Sequence, residues 1–349
     1  MKRFANVLLC LCVPMLMFLQ GCLDEDVHTI VSPDGSLERT YSFKTSSMNV
    51  PSDAYPRPND SSWTVEWKKP KEAESSYVYT ARKTFATGES LNSEYTGPRD
   101  TGAIGVAVSL TKRFQWFYSY FEYRESYVMR NKLIHVPVTR FMTNEEIERY
   151  VQGESSESLE RKVDLWDFTN LYEEFYPALI KEIDRRKNPA LSAVVSSKKD
   201  ELFRALIEAD SLEKARKESL RDSAKQKMGD ADEVLEFCAK FLGNRDIIAY
   251  GPYADSVISD IASRQKPGGH PQNWNSSVQM PGILLETNSA SVEGNKVSWK
   301  FNEKQIHVGE YVMTASSRIT NAWAYVVTGI AGLLVAAMMI VGMLRRKKL

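Results

Sequence analysis

Two Ser-x-x-Lys sequences, Ser196–Lys199 and Ser211–Lys214, have the spacing at which a lysine amine can activate a serine hydroxyl for acyl transfer. Both lie in segments dense in charged residues, where a helix would expose the lysine to water. An exposed lysine keeps its proton at neutral pH and cannot act as the base. Neither S-D-N nor K-T-G, which accompany this chemistry, occurs in the chain. We therefore predict no catalytic residue at these positions.

Metal and cofactor sites also lack their usual patterns. Zinc ligands commonly stand two to five residues apart, whereas the histidines stand far apart, Cys238 is alone after Cys22, and no H-E-x-x-H occurs. It has no glycine-rich phosphate loop and no G-x-S-x-G. The sequence predicts no metal, no cofactor and no enzymatic activity. The side chains that could ligate a metal, but lack the usual spacing, are His28, His135, His270, His307 and Cys238.

Eight aromatic residues fall between Phe114 and Tyr127, flanked by basic residues, which could stack on bases or sugars. The alternative is a long pair of strands buried on both faces. Six of the 45 basic residues lie at the chain ends, which leaves 39 basic against 45 acidic residues between them. This acidic balance favours the buried strand pair and excludes nucleic acid as a partner.

The N-terminus combines a basic pair, an apolar stretch from Val7 to Leu19 and the sequence Leu19-Gln20-Gly21-Cys22. This is the layout of an export signal. Its end resembles the lipobox of bacterial lipoproteins. The resemblance implies that residues 1–21 are removed as a signal peptide and that Cys22 carries a diacylglycerol thioether and palmitate. Only Cys238 then remains as a thiol, so no internal disulfide can form.

The C-terminus contains an uncharged apolar run, Ala322–Leu344, which as a helix would span about 34 Å. That length predicts a single-pass transmembrane helix. The residues that follow, 345–349, begin Arg-Arg-Lys-Lys, so the positive-inside rule places them in the cytoplasm. Residues 23–321 would then lie outside the cytoplasm, in the periplasm or cell envelope. We expect the cytoplasmic (inner) membrane to be the site of residence.

Small residues recur every four positions along this run and line one helix face, which lets two helices approach closely in lipid. They predict a homo-oligomer formed through the membrane helix. The positions are Ala324, Thr328, Gly332 and Ala336.

Three Asp-Ser-apolar tripeptides are similar to sites that some bacteria O-glycosylate outside the cytoplasm. On a charged helix the same tripeptide is ordinary solvated surface. The three serines are Ser211, Ser223 and Ser256.

Periodicity predicts an α+β fold, with antiparallel β segments from both ends of the exported body and a helical insertion between them. Residues 22–142 are expected to be β-rich, 143–265 helical and 266–321 β again, followed by the membrane helix 322–344. Thr143 and Glu146 form a capping-box pattern at the start of the helical part. Pro177 is expected to kink or interrupt a helix.

Gly282–Phe301 and Tyr311–Arg318 resemble the C-terminal β part of small anchored bacterial lipoproteins of the LppM kind. In these, a Val-x-Trp strand precedes the strand that leads to the anchor. The resemblance implies a fold and a location, and no chemistry.

The acidic stretch Leu23–Asp26 is expected to be a solvated tether. It also resembles tags that send some lipoproteins to the outer membrane.

The leading functional hypothesis is a membrane-anchored, non-enzymatic lipoprotein that binds or scaffolds another envelope component, whose identity the sequence does not indicate. The alternatives are an envelope hydrolase and a small-ligand-binding lipoprotein. Convergent polar groups in a deep pocket would favour either alternative, and an exposed apolar patch would favour the scaffold.

Overall fold

The computed structural model describes residues 24–45, 62–69, 77–96, 104–130, 133–208, 231–265 and 273–346. They form two compact units. The β unit contains the described residues of Met1–Arg130 and Gly269–Leu349, and the helical unit contains those of Asn131–Gly268. The α+β prediction is confirmed: strands come from both ends of the chain, and helices lie between them in sequence.

The larger sheet of the β unit has seven strands in the order β3-β4-β2-β1-β7-β10-β9. Inward-facing side chains alternate with polar outward-facing ones along its central strands, as expected for a sheet with one solvated face. The strands are β1 (Asp24–Val31), β2 (Leu37–Thr45), β3 (Thr64–Lys68), β4 (Tyr77–Phe85), β7 (Asn273–Gln279), β9 (Ser291–Glu293) and β10 (Lys296–Asn302).

The sequence Pro33-Asp34-Gly35-Ser36, whose residue types are typical of a tight turn, joins β1 to β2, which pair in antiparallel register. Gly35 has a φ of +99°, which glycine adopts without steric cost. The Asp34 carboxylate accepts hydrogen bonds from the N–H and the hydroxyl of Ser36. A turn that contains Gly294 likewise joins β9 to β10.

The second sheet has four strands in the order β5-β6-β11-β8. They are β5 (Ile104–Gln115), β6 (Tyr118–Met129), β8 (Ile283–Thr287) and β11 (Tyr311–Thr320). The predicted long strand pair is therefore present as the β5–β6 hairpin. The expectation that it is buried on both faces is wrong, because the last residues of β5 are exposed. Its turn at Trp116–Phe117 divides the aromatic run between the two strands.

The core of the β unit lies between the two sheets. Trp274 of β7 and Phe301 of β10 stack with centroids 5.3 Å apart, and Tyr127 of β6 and Tyr311 of β11 contact Phe301 from the other sheet. Two short helices complete the unit: α1 (Gly88–Thr96) and α7 (Glu303–Val308).

Part of the tether prediction is wrong, because β1 begins at Asp24 and Glu25 is buried. In strand geometry, Glu25 shares the inward face with Val27, Thr29 and Val31. The strand is held by β2 on one side and by parallel pairing with β7 on the other. The Asn- and Ser-rich sequence Gly268–Ser277 is typical of a polar linker, but from Asn273 onward it belongs to β7, in which Trp274, Ser276 and Val278 face inward.

The helical unit begins with the predicted helix α2 (Asn144–Val151). The capping box is confirmed: the Glu146 N–H donates to the Thr143 hydroxyl, and the Thr143 N–H donates to the Glu146 carboxylate. The next helix, α3 (Glu157–Arg185), continues through Pro177, so the predicted interruption is not seen.

Further helices follow: α4 (Pro189–Ser197), residues 199–208, α5 (Ala231–Leu242) and α6 (Gly251–Gln265). Gly243 has a φ of +66° and ends α5, a position at which helices commonly have glycine. Apolar side chains of these helices form a common core that includes Tyr176, Leu191, Leu206 and Leu235.

The last described element is α8 (Ala322–Arg346), which follows β11 after one residue. The start of β1 and the end of β11 lie at opposite ends of the β unit. Glu25 pairs with Trp274, which contacts Tyr127, whereas Thr320 pairs with Tyr118 at the other end of β6. Nine residues separate Tyr118 from Tyr127, which corresponds to about 30 Å along the strand.

Candidate membrane interface

Asn321 fastens the start of α8 to the turn of the β5–β6 hairpin. Its backbone N–H donates to the Phe117 carbonyl at 2.9 Å. Its side-chain amide donates to the carbonyls of Gln115 and Trp116 at 3.0 and 3.2 Å. Its side-chain oxygen accepts from the Ser119 hydroxyl at 3.1 Å. These bonds satisfy the turn's carbonyls and fix the position from which α8 leaves the sheet.

Aromatic side chains of the hairpin pack on the first two turns of α8. Phe114 and Trp323 lie nearly parallel, with centroids 6.0 Å apart. Trp116 meets Trp323 edge-on at 5.2 Å, and its indole N–H donates to the Thr328 hydroxyl at 2.8 Å. We call Phe114, Trp116 and Trp323, together with Phe117 and Tyr325, the aromatic junction.

The second side of the junction is formed by Phe117 and Tyr325, whose ring centroids are 4.6 Å apart. The Tyr325 hydroxyl donates to the Tyr118 hydroxyl at 3.1 Å. The Arg318 guanidinium lies over the ring of Tyr118 at 4.8 Å. Tyrosine and tryptophan combine an apolar ring with a polar group, which suits the boundary between lipid and water.

The composition of α8 fits a membrane span. Ala322–Val341 has a mean hydropathy of 2.3, and by length and composition this part of α8 could cross a bilayer. The apolar side chains of α8 from Val326 onward are largely exposed, because the rest of the β unit does not cover them. The sequence predicted the span as Ala322–Leu344.

The structure divides the stripe of small residues into two halves. Ala324 is buried, and Thr328, although exposed, accepts a hydrogen bond from Trp116, so the hairpin contacts the half nearest the sheet. Gly332 and Ala336 are exposed, and a Cβ placed on Gly332 would meet no atom within 4 Å. The surface left for a second helix is therefore centred on Gly332 and Ala336.

We expect Gly332→Ile to weaken self-association in a membrane two-hybrid assay, because the larger side chain separates helices that pack through this face. The matched control is Ala337→Ile, which lies about 140° around the helix from Gly332. Equal signals from the Gly332 variant and the unchanged chain would contradict pairing through the stripe.

A charged pair lies inside the β unit. Both terminal nitrogens of Arg39 donate to one oxygen of Glu125 at 2.9 Å, and neither side chain is exposed. The hydroxyls of Tyr123 and Tyr127 also donate to the Glu125 carboxylate. Burial opposes the charge on Arg39, but attraction by Glu125 outweighs it and holds the pKa of Arg39 well above its ordinary value. The cluster connects the two sheets, because Arg39 lies on β2 and Glu125 on β6. Because solvent does not reach these side chains, they cannot bind an external substrate.

The outward face of β1, β7 and β10 forms a shallow depression of about 470 Å³. In it, His28 Nδ1 lies 2.8 Å from the Ser277 hydroxyl. Partial burial, followed by the charge of Lys296, lowers the pKa of His28, which favours the neutral imidazole at pH 7. Asp26 accepts instead from Asn275 at 2.9 Å. The arrangement provides a serine and a base, without a carboxylate bonded to the histidine.

The remaining candidate residues are dispersed. Ser196 is exposed, and Lys199 donates to Glu173 at 2.7 Å in an ion pair. Ser256 is exposed on α6. Cys238 is buried in the helical core, where burial raises the pKa of its thiol to about 12. Cys22, Ser211, Lys214, Ser223 and His270 lie outside the described residues.

The described histidines do not converge. His135 contacts Glu174 in the helical unit, whereas His28 bonds to Ser277 and His307 contacts Met129 in the β unit. No three metal-binding side chains come together within the described ranges of the chain.

The aromatic junction could not be predicted from local patterns, because its contacts join residues about 200 positions apart. The signals for it were present separately, in the aromatic residues of the hairpin turn and in Trp323 and Tyr325 at the start of the apolar run.

Comparisons with known proteins give little further information. No protein-family model matches the chain, and no curated protein matches it. Among solved structures, the chain is similar to the NMR structure of the folded domain of LppM from Mycobacterium tuberculosis, over 86% of this chain and 91% of that one. The TM-score is 0.31 and the identity 10%. This amounts to a weak LppM-like resemblance.

Proposed function

We propose that this protein is a bacterial envelope lipoprotein, anchored by lipid at Cys22 and by the helix Ala322–Leu344, that binds or scaffolds another envelope component without catalysis. The body, residues 23–321, lies outside the cytoplasm and the basic tail inside it. The observation that carries the proposal is the aromatic junction, which joins a folded β unit directly to an apolar helix. A unit fixed in this way is positioned to present its surface at a constant distance from the membrane.

The charge distribution supports this orientation. Arg345 and Arg346 follow the apolar run, and two further basic residues come next in the sequence. Moving such a tail across the bilayer costs about 2.5–3.5 kcal/mol for each charge at the membrane centre. The tail therefore favours the cytoplasmic side, and the hairpin lies at the opposite interface.

The lipid adds a geometric constraint. Cys22 precedes the start of β1 by two residues, which extend at most about 7 Å. The start of β1 is about 30 Å along the strands from the end of β11. If both anchors enter one membrane, the strands of the β unit must be inclined toward its surface instead of standing upright.

The buried position of Glu25 weakens the alternative destination. The acidic stretch after Cys22 resembles an outer-membrane tag, but Glu25 faces the core and is not available at the surface. Extraction would also remove α8 from hydrocarbon, where each Leu, Ile, Val or Phe contributes about 0.3–0.6 kcal/mol to insertion. These terms favour residence in the cytoplasmic membrane.

The second candidate function is a hydrolase or a small-ligand-binding lipoprotein. The observation that favours it is the contact between His28 and Ser277 in the polar depression. The depression is shallow, and the Asp26 carboxylate is bonded to Asn275 instead of orienting His28. These features favour the scaffold.

Crosslinking in intact cells tests the proposed function. We expect the full chain to crosslink reproducibly to a defined envelope protein, and the yield to be unchanged in Ser277→Ala. The reason is that a scaffold uses a surface, whereas a hydrolase would use the serine. Labelling of Ser277 by a fluorophosphonate probe, lost in His28→Ala, would instead support the hydrolase.

A further inference from the structure

We propose that the tip of the β5–β6 hairpin enters the outer leaflet of the membrane beside α8, so that Trp116 contacts lipid at the depth of the second turn of α8. The tip consists of residues 114–118. The partner of this surface is thus a lipid bilayer. The inference rests on the proposed function, because it requires α8 to span the membrane.

Strand register places the tip beyond the end of β11. Thr320 is the last residue of β11 and pairs with Tyr118, which in turn pairs with Gln115. Trp116 and Phe117 therefore project past the sheet, on the side where the chain enters α8. The hydrogen bonds of Asn321 to this turn keep it against the helix.

The contact between Trp116 and Thr328 sets the depth. Thr328 is six residues after Ala322, or about 9 Å along the helix axis. The apolar run is about 34 Å long, and the hydrocarbon core is about 30 Å thick. If the run is centred on the core, Thr328 lies about 7 Å inside the hydrocarbon boundary. Trp116, bonded to Thr328 at 2.8 Å, reaches the boundary region from the aqueous side.

The exposed surface of the tip suits lipid. Phe114 and Trp116 remain 57% and 46% exposed despite their contacts with Trp323. No charged residue occurs between Arg113 and Glu122. These two flanking residues form an ion pair with each other. Burial of the tip in lipid therefore transfers aromatic surface and no charged side chain of the tip itself.

Lipid-attached quenchers test the proposal on the full chain reconstituted in phosphatidylcholine–phosphatidylglycerol vesicles. A cysteine is introduced at Gln115 and labelled with an environment-sensitive fluorophore, which leaves every aromatic contact intact. Ile330→Cys reports on the span, and Val65→Cys, exposed on β3, is the aqueous control. The unchanged chain corrects for Cys238, whose burial and raised pKa make it slow to react.

We expect quenching at position 115 by nitroxides on the lipids to be several-fold greater than at position 65. A nitroxide near the headgroup should quench it more than one near the acyl-chain end. Quenching at 330 with none at 115 would overturn the inference and leave the span intact. Absence of quenching at 330 would overturn the span and the inference together. Protection of position 115 from iodide without lipid quenching would place a protein, such as a second copy, at the tip and would also overturn it.

Discussion

Replacing Arg39 with leucine is expected to lower the free energy of unfolding of the β unit by about 3–5 kcal/mol. The variant leaves the Glu125 carboxylate fully buried, with only tyrosine hydroxyls to stabilise its charge. A buried charge without its partner costs far more than the pair contributed. The large expected loss follows from this asymmetry.

Hydrogen exchange of strands β2 and β6 across a urea series measures this loss without interference from the helical unit. The matched control is Arg82→Leu on the neighbouring strand β4. Arg82 is 60% exposed and pairs with Glu38 at 3.4 Å, so its removal should cost less than about 1 kcal/mol. The double variant Arg39→Leu, Glu125→Leu should recover much of the loss. Equal effects at Arg39 and Arg82 would contradict the assigned role of the buried pair.

Replacing Cys22 with alanine is expected to abolish incorporation of a clickable palmitate analogue completely. The reason is chemical, since the thioether can form only on this sulfur if Leu19–Cys22 is a lipobox. The variant should nevertheless stay in the cytoplasmic membrane, because α8 remains as an anchor. The two anchors are thus separable.

Labelling in cells and sucrose-gradient fractionation measure the two effects. Cys238→Ala is the matched control and should keep full labelling, since its thiol is buried in the helical core. Label remaining in the Cys22 variant would contradict the lipoprotein assignment. Co-sedimentation of the unchanged chain with outer-membrane porins would contradict residence in the cytoplasmic membrane.

Features that depend on neighbouring residues could be predicted from the sequence. The capping box at Thr143, the glycine that ends α5 and the turn at Gly35 each involve residues within a few positions of one another. The length and composition of α8 belong to the same class, because the bilayer thickness alone sets the requirement. The α+β class could also be predicted from local patterns, because the spacing of apolar residues changes from that of strands to that of helices along the chain.

Tertiary structure decided which distant residues meet. Arg39 and Glu125 are 86 positions apart, and Ser119 and Asn321 are 202 apart. The parallel pairing of β1 with β7 converted a predicted tether into a core strand and turned Glu25 inward. The strand pairings also place the start of β1 and the start of α8 at opposite ends of the β unit. Local patterns specify the period of a segment but not its neighbour, and the neighbour is chosen by burial of complementary faces across the whole unit.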